Sequence, residues 1–209
     1  MSTVLSPTEQ KIILHDVSWT LYQLLLANYQ DSSSPRFAYD RGTLEIMILS
    51  ARHEQPNRII AALIETVANE GGIDFINLGS TTFNREDLAK GFEPDSCFYF
   101  QNVHQVRGKE DIDLQVDPPP DLIVEIDITH PSLPKLPIYE QVKVPEVWQY
   151  DGEKLTILLL ENGAYRESAD SRALPGVTAR DVTRFVEESR YTERPQWNRA
   201  VLKWARSLN

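Results

Sequence analysis

The chain has 209 residues, 41% hydrophobic and 25% charged, enough for a sizeable core in a single domain. Its 31 acids against 21 lysines and arginines give a net charge of −10, which argues against a cation-coated surface for non-specific nucleic-acid binding. Apolar runs such as Leu155 to Leu160 are too short to span a bilayer, and Met1 to Gln10 has neither a basic start nor an apolar signal core; with one cysteine, Cys97, a cytoplasmic protein without membrane contact is expected.

In chain order, residues 1–17 are expected to be an N-terminal extension. Ser18 caps a predicted helix from about Trp19 to Asn28, with Leu21, Leu24 and Leu25 on one stripe. Ser32-Ser33-Ser34-Pro35 breaks it, and Phe37 to Tyr39 with Leu44 to Leu49 reads as a hairpin around Asp40-Arg41-Gly42. Ile59, Ile60, Leu63, Ile64 and Val67 recur at helical spacing within Gln55 to Asn69, and Gly71-Gly72 stops that helix. Strands are predicted at Ile73 to Leu78, Thr81 to Phe83, Asp95 to Phe100 and Leu122 to Ile128. Gln101 to Pro120 reads as a loop with at most a short helix. A short helix is expected at Leu136 to Val142, its first turn accommodating proline. Glu146 to Tyr150 and Lys154 to Leu160 pair across Asp151-Gly152, and Tyr165 to Glu167 adds a strand. Thr178 caps a helix through Glu188, and 191–209 forms a helical tail too hydrophobic, through Trp197 and Trp204, to stay undocked. Hairpins and helical crossovers together predict an α/β protein with a mixed sheet.

Leu122-Ile123-Val124-Glu125-Ile126-Asp127-Ile128 is an ordinary interior strand apart from its two acids. Strand side chains alternate, so Glu125 and Asp127 share a face. An ionised carboxylate is costly to bury unless a cation or hydrogen bonds meet it. With Glu93-Pro94-Asp95 on another predicted strand, the pattern points to a held divalent cation, Mg²⁺ or Mn²⁺, with Asp95 and Glu125 as ligands and the carbonyl of Ile126 as a third. Such an ion suits phosphodiester hydrolysis, and a nearby lysine would orient water and contact phosphate. Asp127 is either a further ligand or the point where the strand emerges into water, Asp121 belongs to the strand's start, and Cys97 reads as a small core hydrophobe.

The order Pro-Asp, a gap, then an acid in a strand resembles the PD-(D/E)XK nuclease superfamily. More narrowly, Tyr39 to Met47, His53, Gly79 to Phe83, Glu93 to Asp95, Pro119 to Glu125 and Val144 to Trp148 resemble the Uma-two family of restriction endonucleases across about residues 18–190. The resemblance implies a restriction endonuclease-like fold, a central mixed β-sheet flanked by helices, with the active-site acids at one end. Where many superfamily members carry lysine two residues after the strand acid, this chain has Asp127. The family pattern instead implies Lys135, four residues before Tyr139, as the catalytic lysine. It also implies Glu65 as a supporting helical acid, against an ordinary solvated position. His53 is implied in phosphate contact or proton transfer, against a helix-entry hydrogen bond.

The expected function is Mg²⁺-dependent endonuclease cleavage of DNA by a homodimer whose two sites address two strands. The alternative is a catalytically silent nuclease-like module that binds a protein or nucleic-acid partner. Arg52, Arg58, Arg85, Arg107 and Lys109 are candidates to line a cleft, and the stretch from Arg180 onward is mildly basic.

Overall fold

The structure, a computed structural model, describes residues 10–29, 34–48, 50–128 and 133–208. The strands are β1 (Gln10–Leu14), β2 (Arg36–Asp40), β3 (Thr43–Ile48), β4 (Ile76–Asn77), β5 (Phe83–Arg85), β6 (Lys90–Phe92), β7 (Ser96–Tyr99), β8 (Leu122–Ile126), β9 (Glu146–Tyr150), β10 (Leu155–Glu161) and β11 (Ala164–Ser168). The helices are α1 (Trp19–Tyr29), α2 (Ala51–Glu70), α3 (Val103–Val106), α4 (Leu136–Val142), α5 (Ala179–Glu188) and α6 (Arg194–Ala205).

A six-stranded sheet runs β11-β10-β9-β8-β7-β4, and a five-stranded one runs β1-β3-β2-β6-β5. Strands β8 and β9 are parallel, joined by a crossover that contains α4, whereas β7 pairs β8 antiparallel. The architecture is a mixed sheet flanked by helices, as a restriction endonuclease-like fold requires. Strand alternation divides β8 between two cores. Leu122, Val124 and Ile126 pack with the apolar faces of α2, α5 and α6, and Ile123 joins Ile138, Tyr139 and Val142 of α4 on the opposite face. Glu125 therefore belongs to the α4 face of the central sheet.

Three departures from the sequence reading have local causes. The strand expected at Ile73 to Leu78 shrinks to Ile76–Asn77 because Ile73 is committed to ending α2. Its N–H donates to the Ala68 carbonyl, that of Gly72 donates to Asn69, and Gly72 takes φ +65°. This is the left-handed helix stop for which glycine is suited. Strand β1 lies within the stretch expected as an extension and pairs with β3 from Gln10↔Ile48 to Leu14↔Leu44. Strand β6 hides behind residues that rarely mark strands: Lys90 is fully buried against Asp40, Nζ to Oδ1 at 2.6 Å, and Gly91 lies under Tyr22. The predicted hairpin is present as β2–β3, although Leu49 lies outside the described residues, as do Ser32 and Ser33 of the expected break. Helix α6 docks on α2 and α5 of its own chain, with Trp197 Nε1 donating to the Phe185 carbonyl at 2.8 Å.

A methyl at Gly91 would stand 2.0 Å from the Tyr22 hydroxyl oxygen and 2.5 Å from Cζ. The Tyr22 ring is fully buried and stacked on Tyr39, so it has little room to yield. Gly91→Ala is expected to destabilise the protein by about 1–3 kcal/mol, read from the urea unfolding midpoint. An unchanged midpoint would show that the Tyr22 ring moves aside.

Candidate active site

Pairing of Ser96 with Val124 brings the residue before β7, Asp95, beside the C-terminal end of β8. Asp95 is 1% exposed and held on every side. Its Oδ2 accepts from the Ile126 N–H at 2.8 Å, and its Oδ1 accepts from Arg36 Nη1 at 2.5 Å. His53 Nε2, from the first turn of α2, lies 3.3 Å from Oδ2. Asn57, one turn further along α2, donates to the Asp95 carbonyl and accepts from Ser96 Oγ, which fixes the segment's backbone. Arg36 is braced in turn by Glu54, Nη2 to Oε1 at 3.1 Å. Burial opposes ionisation of Asp95, but His53, Lys135 and Arg36 outweigh it and hold the carboxyl below its ordinary range.

Glu125 lies opposite Asp95 in the β7–β8 register and projects toward α4. Lys135 immediately precedes α4 and Tyr139 lies one turn on, so both reach the same point. Lys135 Nζ lies 2.7 Å from Glu125 Oε2, and the Tyr139 hydroxyl donates to Oε1. Burial pushes the Glu125 carboxyl up to about 7; Lys135 opposes that shift and the Asp95 charge adds to it. The charge of Lys135 is sustained by Glu125 and Asp95 against burial, so its ammonium stays protonated.

Four of the sequence-predicted residues converge here: Asp95, Glu125, Lys135 and His53. Ile126 contributes its N–H to Asp95, and strand geometry sends its carbonyl out on the same side. Asp127 is half-buried beside them, its carboxyl raised by burial and eased by Lys11 and Lys135. Glu65 is not brought to this cluster. It lies about 12 Å further along α2 than Asn57 and accepts from Asn77 Nδ2 at 2.7 Å. Asp121 sits at the start of β8, accepting from the N–H groups of Phe100 and Asn102. Cys97 is a buried core residue.

Three further residues belong to the cluster: Arg36, Tyr139 and Glu45. Glu45 is a buried acid within the apolar β3, the same signal that singles out Glu125, and its Oε2 accepts from the Leu133 N–H at 3.0 Å. Tyr139 stood in the motif as a marker for Lys135. Arg36 carries no pattern in the sequence, because its partner lies far along the chain.

A cavity of about 350 Å³ opens beside Glu125 and is lined also by Lys11, Glu45, Met47, Asp127 and Lys135. A larger cavity, about 770 Å³, lies between the start of α2 and the end of α5, with Arg52 and Arg190 on its wall. The five cations expected to line one cleft are dispersed. Arg58 pairs with Glu54, Arg85 with Asp87, Arg107 with Asp74 and Lys109 with Asp117. Among the described residues, no helix is long and apolar enough to cross a membrane.

No curated protein matches the chain. One solved structure, the crystal structure of "a putative nuclease belonging to DUF820" from Anabaena variabilis, aligns at 11% identity with a TM-score of 0.49, covering 77% of this chain and 98% of that one. The family model Uma2, described as "putative restriction endonuclease", matches residues 19–187. That match takes in both central acids, the lysine and most of the two sheets, and the chain belongs to the Uma2 family.

Proposed function

We propose that the protein is a divalent-metal-dependent endonuclease that hydrolyses phosphodiester bonds in DNA. The observation that carries this reading is the placing of Asp95, immediately before β7, opposite Glu125 of β8, with the Lys135 ammonium 2.7 Å from the second acid. No group of three or more His, Cys, Asp or Glu that could hold a metal ion occurs among the described residues. Mg²⁺ seldom uses such a cage; it takes one or two carboxylates and fills the remaining positions with water and substrate phosphate. Asp95, Glu125 and the Ile126 carbonyl form an all-oxygen set of that kind. Each carboxylate has about four lone-pair sites, so the present partners do not exhaust them.

When bound there, the ion would lower the pKa of water and offset charge developing on the phosphoryl oxygens. The protein's own groups supply the rest. Arg36, His53 and the Ile126 N–H keep Asp95 ionised and fixed in orientation. Tyr139 holds Glu125 toward the cavity. Lys135, a compact charge arriving from α4 where Asp127 has replaced the strand lysine, orients phosphate and water. A homodimer would present two such sites to two strands.

A second reading, a silent nuclease-like module that binds a partner, draws support from the dispersed, ion-paired arginines and the net charge of −10. Metal titration and cleavage separate the two. With Mn²⁺ or Mg²⁺, plasmid DNA is expected to be nicked or linearised and the melting temperature to rise by mass action. The rise should grow with pH through about 7, because Glu125 must lose its proton to act as a ligand. Without metal the sign reverses. The folded Glu125 keeps its proton above the ordinary 4.5, so the stability it contributes is full below 4.5 and is lost as pH rises to about 7. Stabilisation without cleavage would favour the silent module, and neither would remove the metal-site reading.

A further inference from the structure

We infer that Lys11, on β1, is a second phosphate-contacting cation of this site, an assignment that rests on the nuclease reading. Strand β1 lies outside the matched residues 19–187, and its register with β3 sets Lys11 opposite Met47 and Ile13 opposite Glu45. Lys11 and Ile13 are partly buried, while Gln10, Ile12 and Leu14 are exposed, so the strand turns the lysine inward. It there lines the same cavity of about 350 Å³ as Glu125 and Lys135, arriving from the five-stranded sheet while Lys135 arrives from α4.

The charge balance of this cavity explains why a second lysine matters. Glu45, Glu125 and Asp127 all line it, and a DNA phosphate approaching three carboxylates is repelled. The Lys135 ammonium is largely buried and bound to Glu125, deep in the cavity wall. Lys11 keeps partial access to solvent on a flexible stem, and its charge also reaches Asp127. A lysine with that reach can meet a phosphate at the mouth of the cavity before the phosphate meets the acids. The chemistry that fits is the phosphodiester backbone, a singly charged anion that a compact ammonium holds without reading sequence.

The test is binding of a short DNA duplex, followed by fluorescence anisotropy over a salt series in Ca²⁺, with cleavage in Mg²⁺ measured alongside. Lys11→Gln removes the charge and keeps a polar stem on the edge strand; Lys11→Arg keeps the charge. Lys11→Gln is expected to bind roughly tenfold more weakly at low salt, with a salt slope shallower by about one, and Lys11→Arg to restore both. A purely structural role through Asp127 would lower the melting temperature and leave the slope unchanged. Should Lys11→Gln fail to fold, Lys11→Met carries the same comparison. DNA binding with an unaltered slope in Lys11→Gln overturns the Lys11 assignment and leaves the nuclease reading standing. Lys11-dependent binding without wild-type cleavage upholds the contact and overturns the nuclease. Absence of wild-type binding overturns both.

Discussion

Glu125→Gln is expected to lower DNA cleavage about a thousandfold while the protein stays folded. The magnitude follows from removing a carboxylate of the proposed metal site, a loss of several kcal/mol of transition-state stabilisation at about 1.4 kcal/mol per factor of ten. The intact fold follows from the carboxyl's own chemistry. Burial has pushed Glu125 up to about 7, so near neutrality its uncharged form is already well populated, and glutamine imitates that form in shape and charge. The amide oxygen can still accept from Lys135 Nζ, and Asp95 still answers the lysine's charge. Initial rates of plasmid nicking, with circular dichroism melts of both proteins, provide the check. The Mn²⁺-induced rise in melting temperature should disappear together with the activity. Cleavage within a few-fold of wild type would remove Glu125 from the chemistry and leave its pairing with Lys135 and Tyr139 as a feature of the fold.

The sequence made the central sheet and its acids legible because burial of charge is rare and strand alternation is strict. A carboxylate inside Leu122 to Ile126 has few structural explanations, and a period of two fixes which face it takes. Helix α2, the Thr178 cap and the boundaries of α4 follow from equally local rules, and all three are present. What stayed hidden depends on distant partners. Arg36 is ordinary in sequence and gains its role only when Asp95 and Glu54 arrive. Lys90 and Gly91 argue against a strand until Asp40 and Tyr22 supply the partner and the steric reason. Strand β1, with Lys-Ile-Ile-Leu in place of alternation, gives no sign of an inward face; its pairing with β3 decides which side Lys11 takes. The helical acid Glu65 illustrates the converse. Family pattern and helix placement both allow it at the site, yet its distance along α2 and its bond to Asn77 assign it to anchoring β4.

Asp95→Ala is expected to be the most destabilising single change at the site, lowering stability by about 3–5 kcal/mol. The carboxylate is 1% exposed and answers a buried guanidinium. Alanine would leave the Arg36 charge without this acceptor and the Ile126 N–H without its bond, and water cannot readily replace them. At about 2–4 °C per kcal/mol for a chain of this size, the melting temperature should fall by roughly 10 °C. The pH dependence has a fixed sign. Asp95 is held below its ordinary 3.8 when folded, so its contribution is complete above that value and is lost as pH falls through the lower folded one. The gap between wild type and Asp95→Ala should therefore narrow on acidification below about pH 4. Adding Arg36→Met should recover part of the loss, since it removes the charge left behind, and the coupling energy from the double-mutant cycle measures the pair. A loss under about 1 kcal/mol, with no coupling to Arg36, would mean that Asp95 is solvated in solution. Because Asp95 serves both fold and proposed metal site, lost cleavage in its variants is informative only per folded molecule. Glu125, whose neutral form the fold already tolerates, gives the cleaner separation of chemistry from stability.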